Sequence, residues 1–159
     1  MKAAVVTVSD RVSRGEAEDI SGPAVARMLD ELGYDVEASV VEDGVESVAA
    51  ELRRLVGSVR LIVTTGGTGF TARDLTPEAT RTVIEREAPG LAEAMRAVTF
   101  GVNPHGMLSR GVCGIAGNTL ILNLPGSRRG AMESIEVVAP ALKHGLELLN
   151  ATDSDHNAR

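Results

Sequence analysis

The first 65 residues of the chain alternate short apolar runs with segments whose apolar residues recur at helical spacing. The apolar runs, at residues 3–8, 36–41 and 61–64, are rich in β-branched residues, and the amphipathic segments lie at 21–32 and 45–56. Strands that alternate with helices through short connections form a parallel sheet wound with helices. We therefore expect an α/β fold, a three-layer sandwich in which helices cover both faces of a mostly parallel sheet.

The second half of the chain departs from this alternation and adds a small β-hairpin. In chain order we predict a helix from Thr76 to about Glu87, a break at Pro89-Gly90, a helical stretch at 91–100, β runs at 112–116 and 119–123, and a last helix at 131–149. Gly117-Asn118 is a typical two-residue hairpin turn between the two β runs. The whole predicts one domain over residues 1–150 and a flexible polar tail at 151–159.

Composition and charge exclude several classes of function. The 22 acidic and 16 basic residues give a formal net charge of −6, so the chain has no general attraction for nucleic acids or anionic membranes. Only Tyr34, Phe70 and Phe100 are aromatic, too few for a base-stacking surface. The single Cys113 lies among apolar and small residues, which predicts a buried packing thiol. Without a cleavage pattern or a long apolar run, we expect a cytoplasmic protein.

A glycine-rich loop, Gly66-Gly67-Thr68-Gly69, follows the third predicted strand directly after Thr65. Glycines in succession allow backbone N–H groups to point inward and to approach a ligand closely, because no Cβ atoms intervene. Ligands of open α/β sheets bind just beyond the carboxyl ends of the strands, where this loop lies. We interpret it as a binding loop for an anion; the alternative is a tight structural turn.

Two carboxylates accompany the loop at the same edge of the predicted sheet. Asp74 lies just before the helix that begins at Thr76, and Asp43 lies in the turn after the second strand. Carboxylates from two loops beside an anion-binding loop suggest a divalent metal bridged by phosphates. Asp74 could instead cap the helix, and Asp43 could be an ordinary turn residue before Gly44.

Further polar side chains follow the other predicted strands. Ser9, Asp10 and Arg11 end the first strand, where they could contact a phosphate or a heterocycle or form a solvated loop. Ser109-Arg110 precedes the hairpin, and Pro125-Gly126-Ser127-Arg128-Arg129 follows it. Arginines beside a helix N-terminus can hold a phosphate. A solvated surface pair is the simpler interpretation for Arg129.

Assembled along the chain, these segments resemble the molybdopterin adenylyltransferases of molybdenum-cofactor biosynthesis, the Mog/MoaB group that includes the gephyrin G domain. The likeness extends to about Leu149, and its long central block is highly specific. The matching stretches are Thr7-Val8-Ser9-Asp10-Arg11-Val12-Ser13, the block from Thr65 to Thr80, Ile84-Glu85-Arg86-Glu87-Ala88-Pro89-Gly90, Met107-Leu108-Ser109-Arg110 and Asn123-Leu124-Pro125-Gly126-Ser127.

The resemblance implies a Mg²⁺-dependent nucleotidyltransferase. In such an enzyme the phosphate of molybdopterin attacks the α-phosphate of ATP, and pyrophosphate is released. The family's essential aspartates fall on Asp74 and Asp43, which would be catalytic and hold Mg²⁺. The resemblance further implies a homotrimer, with a molybdenum-insertion enzyme as a protein partner.

The residues implied in substrate binding come from four loops. They are Ser9, Asp10, Arg11, Ser13, Thr65, Gly66, Gly67, Thr68, Gly69, Ser109, Arg110, Pro125, Gly126, Ser127 and Arg128. Among them, Arg110 or Arg128 would steady the leaving pyrophosphate. The continuation Ser127-Arg128-Arg129-Gly130 is closer to the gephyrin type than to the better-known bacterial adenylyltransferases. The alternative function is a non-catalytic molybdopterin carrier or scaffold of the same family.

Overall fold

The strands lie at the centre of the structure, and helices cover them on both sides. The computed structural model describes residues 1–99 and 102–151. The strands are β1 (Lys2–Val8), β2 (Asp35–Val41), β3 (Leu61–Thr65), β4 (Arg86–Glu87), β5 (Cys113–Ala116) and β6 (Thr119–Leu124). The helices are α1 (Asp10–Ser13), α2 (Ser21–Glu31), α3 (Val45–Leu55), α4 (Thr76–Arg81), α5 (Pro89–Ala97) and α6 (Arg128–Leu148), with a 3₁₀ helix at Pro104–Leu108.

All six strands form one sheet in the order β2-β1-β3-β6-β5-β4. Strands β2, β1, β3 and β6 are parallel, whereas β5 and β4 run antiparallel to their neighbours. The central strands β3 and β6 are buried along their whole length, and β1 is buried after its first residue. Strands covered on both faces read as continuous apolar runs, which is why the sequence predicts them well.

Two hydrophobic clusters pack on opposite faces of the sheet. Alternate residues of β1 divide between them: Val5 joins the cluster under α2, α5 and α6, and Val6 joins the cluster under α3 and α4. Fully buried leucines anchor the helices, such as Leu29 on α2 and Leu52 on α3. The expected three-layer α/β sandwich is confirmed.

The helix predicted from Thr76 to about Glu87 is wrong in its second half. Helix α4 ends at Arg81, and the following residues lead into the short strand β4, which pairs with β5. The N–H of Glu85 donates to the carbonyl of Ile115 at 2.8 Å. Pairing with the exposed edge of the hairpin therefore outweighs the local helical pattern. The hairpin itself is confirmed, and through β6 it belongs to the main sheet.

Two other short-range predictions are corrected near the sheet edge. The polar stretch after β1, expected to be a loop, forms the one-turn helix α1, in which the Ser9 side chain accepts a hydrogen bond from the N–H of Val12. Helix α6 begins at Arg128 rather than 131, because the Ser127 hydroxyl caps it by accepting from the N–H of Gly130.

The ends of the two remaining predicted segments are only partly described. Helix α5 ends at Ala97, and Phe100, where the predicted helical stretch ended, lies outside the described residues. The predicted tail at 151–159 also lies outside them, apart from Ala151. Within residues 1–99 and 102–151 no helix has the length and apolar character needed to cross a lipid bilayer.

The structure confirms that the Cys113 thiol is buried, which predicts that it reacts slowly with thiol reagents. Only 1% of the residue is exposed, and burial raises the pKa of the thiol to about 12. A thiol of ordinary pKa has a thiolate fraction about a thousandfold larger at pH 8. We expect the native protein to react very slowly with a disulfide reagent at pH 8 and to release one equivalent promptly in denaturant. Rapid labelling of the native protein would contradict the burial.

Candidate functional site

The loops that follow the parallel strands meet at one edge of the sheet. The N–H of Ser9, after β1, donates to the carbonyl of Val41 in β2 at 2.9 Å. The N–H of Gly66, after β3, donates to the carbonyl of Leu124 in β6 at 3.3 Å. These bonds join the end of β1 to β2 and the end of β3 to β6, and the parallel pairing of β1 with β3 places all four ends side by side. The polar residues that follow the strands therefore share one surface, as the sequence predicts.

The glycine-rich loop requires glycine at two positions for steric reasons. Gly66 and Gly67 have φ angles of 97° and 62°, in the left-handed region. A Cβ atom on Gly66 would lie 2.3 Å from the carbonyl oxygen of Val8, and one on Gly67 would lie 2.3 Å from the hydroxyl of Thr76. The Thr76 hydroxyl in turn donates to the carbonyl of Gly66 at 3.0 Å. The loop is therefore held between the end of β1 and the start of α4.

The second wall of the site is the turn between β6 and α6. A Cβ atom on Gly126 would lie 3.2 Å from the Cα atom of Gly66, so backbone packs against backbone at this contact. The Ser21 hydroxyl at the start of α2 donates to the carbonyl of Gly126 at 2.9 Å. This turn is thereby fixed beside the glycine-rich loop.

Asp43 and Asp74 lie beside the glycine-rich loop, each with one carboxylate oxygen tied to the backbone. Oδ2 of Asp43 accepts the N–H of Asp10 at 2.7 Å, and Oδ2 of Asp74 accepts the N–H of Thr71 at 2.7 Å. The Oδ1 atoms have no hydrogen-bond partner among the described residues. Oδ1 of Asp43 lies 3.2 Å from the position that a Cβ on Gly67 would take.

The electrostatic environment of Asp43 is unusual for a turn aspartate. Burial raises the pKa of its carboxyl group above the ordinary value, and the neighbouring carboxylates of Asp10 and Asp74 add to the rise. The N–H of Asp10 and the guanidinium of Arg73 act in the opposite direction. Carboxylates that lie close together repel one another when they are charged, and a bound cation would offset this repulsion.

Two arginines connect the loops around the site to one another. Arg110 donates to the carbonyls of Gly69, at 2.8 Å, and of Asp74, and it pairs with the carboxylate of Glu78. Arg73 donates through Nε and Nη2 to both oxygens of Asp10, at 3.0 and 2.9 Å, and holds the pKa of that carboxyl group below its ordinary value. The guanidinium of Arg110 is thus occupied by protein groups, which favours a bracing role over the suggested contact with pyrophosphate.

Two cavities open on the loop, of about 310 and 380 Å³. Of the predicted residues, the first is lined by Gly67, Thr68, Gly69, Asp74, Ser109, Pro125, Gly126 and Ser127. The second is lined by Ser9, Thr65, Gly66, Gly126, Ser127 and Arg128. Gly126 and Ser127 belong to both walls. Within the described chain, the buried hydroxyl of Thr65 has no hydrogen-bond partner.

Five predicted site residues line neither cavity: Asp10, Arg11, Ser13, Asp43 and Arg110. Asp10 and Arg110 are engaged with neighbouring loops, as described above. The Ser13 hydroxyl donates to the carbonyl of Asp10 at 3.0 Å, which stabilises α1. Arg11 is exposed. The structure therefore brings Asp43 to the loop without making it part of a cavity wall.

Sequence reasoning missed the far wall of the first cavity. It consists of residues from α5, the 3₁₀ helix, the segment between these two helices, and α6. Among them are Met95, Arg96, Thr99, Asn103, His105 and Ser134. These residues fall in ordinary amphipathic or loop patterns, and only the packing of α5 against α6 brings them to the site. Asn123 did carry a signal, because it interrupts a strand whose other residues are mostly apolar. Its amide donates to the hydroxyls of Thr64 and Thr80, at 3.1 and 2.9 Å.

Residues 4–144 match the family described as "probable molybdopterin binding domain". The chain is 37% identical to the molybdopterin adenylyltransferase of Helicobacter pylori strain J99, over 91% of this chain and 85% of that protein. It is 40% identical to the molybdenum cofactor synthesis protein cinnamon of Drosophila melanogaster, over 91% of this chain. It spans only 25% of the length of that protein and 22% of gephyrin from Dictyostelium discoideum.

Solved structures agree with these sequence matches. The molybdopterin biosynthesis enzyme MoaB from Thermus thermophilus superposes with a TM-score of 0.89 at 45% identity, covering 95% of this chain and 97% of that chain. The Mog protein from Mycobacterium ulcerans superposes with a TM-score of 0.88 at 41% identity, covering 93% and 98%. The fold is thus shared along nearly the whole chain.

The close approach of Gly66 to Val8 predicts a large effect of a single added methyl group. We expect Gly66→Ala to lower the free energy of unfolding in urea by about 2 kcal/mol or more, because left-handed strain and overlap with a backbone oxygen add together. Gly117→Ala is the matched control: its φ of 55° is also left-handed, but a Cβ there meets no atom within 4 Å. Equal losses in the two variants would show that the contact with Val8 is unimportant.

Proposed function

Because the chain belongs to the family of probable molybdopterin binding domains, we propose that it is a molybdopterin adenylyltransferase. It would transfer AMP from ATP to the phosphate of molybdopterin and release pyrophosphate. Proteins from Helicobacter pylori and Escherichia coli that carry this name align with the chain over 85% and 75% of their length. The resemblance of the sequence to this family is confirmed by the same matches.

One observation carries the proposal for the reaction: two carboxylates flank a glycine-rich loop, and each keeps one oxygen without a protein partner. The Oδ1 atoms of Asp43 and Asp74 have no hydrogen-bond partner within the described residues, although both side chains are held in place through Oδ2. Fixed carboxylates beside an anion loop are the arrangement that phosphoryl transfer requires.

The carboxylate pair fits a magnesium ion, which we propose as the cofactor. Proteins hold Mg²⁺ through one or two carboxylates, and substrate phosphates and waters supply its other ligands. In the part of the chain that the structure describes, no group of three or more His, Cys, Asp or Glu side chains is arranged for a metal. Two aspartates completed by ATP satisfy this pattern. When bound, the ion would offset the negative charge of the ATP phosphates.

Other residues of the two cavity walls would bind and orient the two substrates. The N–H groups of Gly67, Thr68 and Gly69 would donate to phosphate oxygens, and the hydroxyls of Ser9, Ser109 and Ser127 would donate to substrate. The buried Thr65 hydroxyl has no partner within the described residues and lies at the edge of the second cavity, so a bound substrate would supply the missing hydrogen bond. Arg128, at the N-terminus of α6, would attract the leaving pyrophosphate.

Two cavities that share one wall suit a reaction between two substrates. Each has the size of a small-molecule site, and both are lined by Gly126 and Ser127. Substrates bound on the two sides would meet at this turn, where Gly126 presents no side chain. The groups to be joined would be close, and the loss of translational freedom would occur on binding.

The proposal includes a cytoplasmic homotrimer that delivers its product to a molybdenum-insertion enzyme. Exposed apolar side chains beside the first cavity support subunit contact, among them Val98, Val102, Met107 and Leu108. We expect light scattering to give three times the chain mass of 16.6 kDa. A monomer at micromolar concentration would contradict this assembly and would leave the reaction to be tested separately.

The reaction is tested by replacing each aspartate with its amide. We expect Asp74→Asn and Asp43→Asn each to lower kcat for pyrophosphate release by about 100-fold or more, because the amide loses the charge that faces the phosphates. An amide oxygen can still accept the backbone N–H, so the fold and the affinity for molybdopterin should persist. The measurements are pyrophosphate release from ATP on addition of molybdopterin, and calorimetric binding of molybdopterin.

Asp30→Asn is the control for these variants. Asp30 is an exposed aspartate on α2 that lines none of the cavities described above. Its variant should retain wild-type turnover. Wild-type turnover in Asp74→Asn would overturn the assignment, and molybdopterin binding without pyrophosphate release in the unaltered protein would identify a carrier.

A further inference from the structure

The loops after β1 and β2 are locked together by a reciprocal pair of hydrogen bonds. The N–H of Asp10 donates to Oδ2 of Asp43 at 2.7 Å, and the N–H of Asp43 donates to Oδ1 of Asp10 at 3.1 Å. Each aspartate therefore fixes the backbone of the other. This arrangement also places two carboxylates side by side, which is unfavourable without a neighbouring cation.

Arg73, in the loop between β3 and α4, supplies that cation. Its guanidinium donates to both carboxylate oxygens of Asp10, at 3.0 and 2.9 Å, and also to the backbone carbonyl of Asp43. The planar donor fork of arginine matches a carboxylate in two places at once, which a lysine cannot do. One side chain thus contacts both members of the reciprocal pair.

The position of Arg73 in the sequence gives this contact a consequence for the site. Arg73 is the immediate neighbour of Asp74. The segment that carries the Asp74 carboxylate therefore also binds the loop that carries Asp43. Asp43 and Asp74 are 31 residues apart in number and come from different strand ends. The Arg73 contacts tie their two loops directly together.

We propose that Arg73 is a positioning residue, which acts through Asp10 to hold Asp43 at a fixed place relative to Asp74. The inference rests on the proposed function, since it assigns these aspartates to the reacting phosphates. It gives Asp10 a supporting role in place of direct substrate contact. Arg73 itself acts through other residues and touches neither substrate.

The exposure of Arg73 makes the proposal separable from a stabilising role. Its side chain is 57% exposed, and an ion pair so accessible to solvent contributes little to stability. A displacement of about 1 Å in a catalytic group, in contrast, can lower a rate by about 100-fold. Loss of Arg73 should therefore be evident in turnover and small in thermal stability.

Arg54 offers a closely matched control. It is 56% exposed and donates through Nε and Nη2 to both carboxylate oxygens of Glu51, each at 2.8 Å. This pair lies within α3, and Arg54 also donates to Glu37 on β2 at 3.4 Å. None of these residues is assigned to the site. Arg54→Gln removes the same kind of ion pair at the same exposure without touching the aspartates.

The experiment compares Arg73→Gln with Arg54→Gln and the unaltered enzyme. We expect Arg73→Gln to lower kcat by about 10- to 100-fold, to leave the KM for molybdopterin within about twofold, and to change the melting temperature no more than Arg54→Gln does. Arg54→Gln should retain full turnover. Full turnover in Arg73→Gln, or an equal loss in Arg54→Gln, would overturn the proposal.

Two further measurements identify the route of the effect. In the enzyme without substrates, hydrogen exchange at the amides of Asp10 and Asp43 should accelerate about tenfold or more in Arg73→Gln and remain unchanged in Arg54→Gln. In an Asp43→Asn background, Arg73→Gln should cause no further loss of turnover, because both changes act on one unit. Additive losses would mean that Arg73 acts by a route other than Asp43, and unaltered exchange would mean that it does not hold the pair; either result would overturn the proposal.

The two proposals can fail independently. If the unaltered enzyme releases no pyrophosphate, the proposed function is wrong, whereas the exchange measurement still tests whether Arg73 holds Asp10 and Asp43. If the unaltered enzyme is active and Arg73→Gln matches it, only the positioning role is wrong.

Discussion

The contact between the Gly66 backbone and the carbonyl oxygen of Val8 sets the distance on which the whole site depends. It brings the loop after β3 against the end of β1, and Gly126 then packs against the Cα atom of Gly66 from the end of β6. The ends of these three strands are thereby in direct backbone contact, with no side chain between them. The carboxylates, hydroxyls and helix N-termini that follow those strands converge because of this packing.

Convergence concentrates negative charge, and the structure offsets that charge in two ways. Arg73 and Arg110 neutralise carboxylates on the outer side of the glycine-rich loop, where they also bind backbone carbonyl groups. On the inner side, Asp43 and Asp74 keep oxygens without protein partners among the described residues, and a magnesium ion brought with ATP would complete the balance in the proposed reaction. In the proposed reaction, a chain with a net charge of −6 would in this way accept anionic substrates at one place.

The central sheet was predictable because β1, β3 and β6 are buried on both faces and show nearly uninterrupted apolar runs. Strand β4 was not, because residues 82–87 continue a helical pattern locally and become extended only by pairing with β5. The location of Asp43 and Gly66 at one edge of the sheet was predictable because each follows a strand, and that of Asp74 because it lies just before the helix that begins at Thr76. The contacts of Arg73 and Arg110 were not predictable, because a two-pronged hydrogen bond between distant loops produces no recurring pattern in the sequence. The far cavity wall depended in the same way on the packing of α5 against α6.

The buried amide of Asn123 favours one register of β6 against β3 during folding. Asn123 lies opposite Thr64 in the pairing of β3 with β6, and its amide also reaches Thr80 on α4. A shift of β6 by one residue would carry the amide to the other face of the sheet, away from both hydroxyls. An unpaired amide in a dry interior is costly, whereas neighbouring leucine and isoleucine side chains would tolerate the exchange. Asn123 thus disfavours sheets in which β6 is misaligned. In such sheets the Pro125-Gly126 turn would not pack against the loop at Gly66, so Asn123 also favours correct assembly of the site.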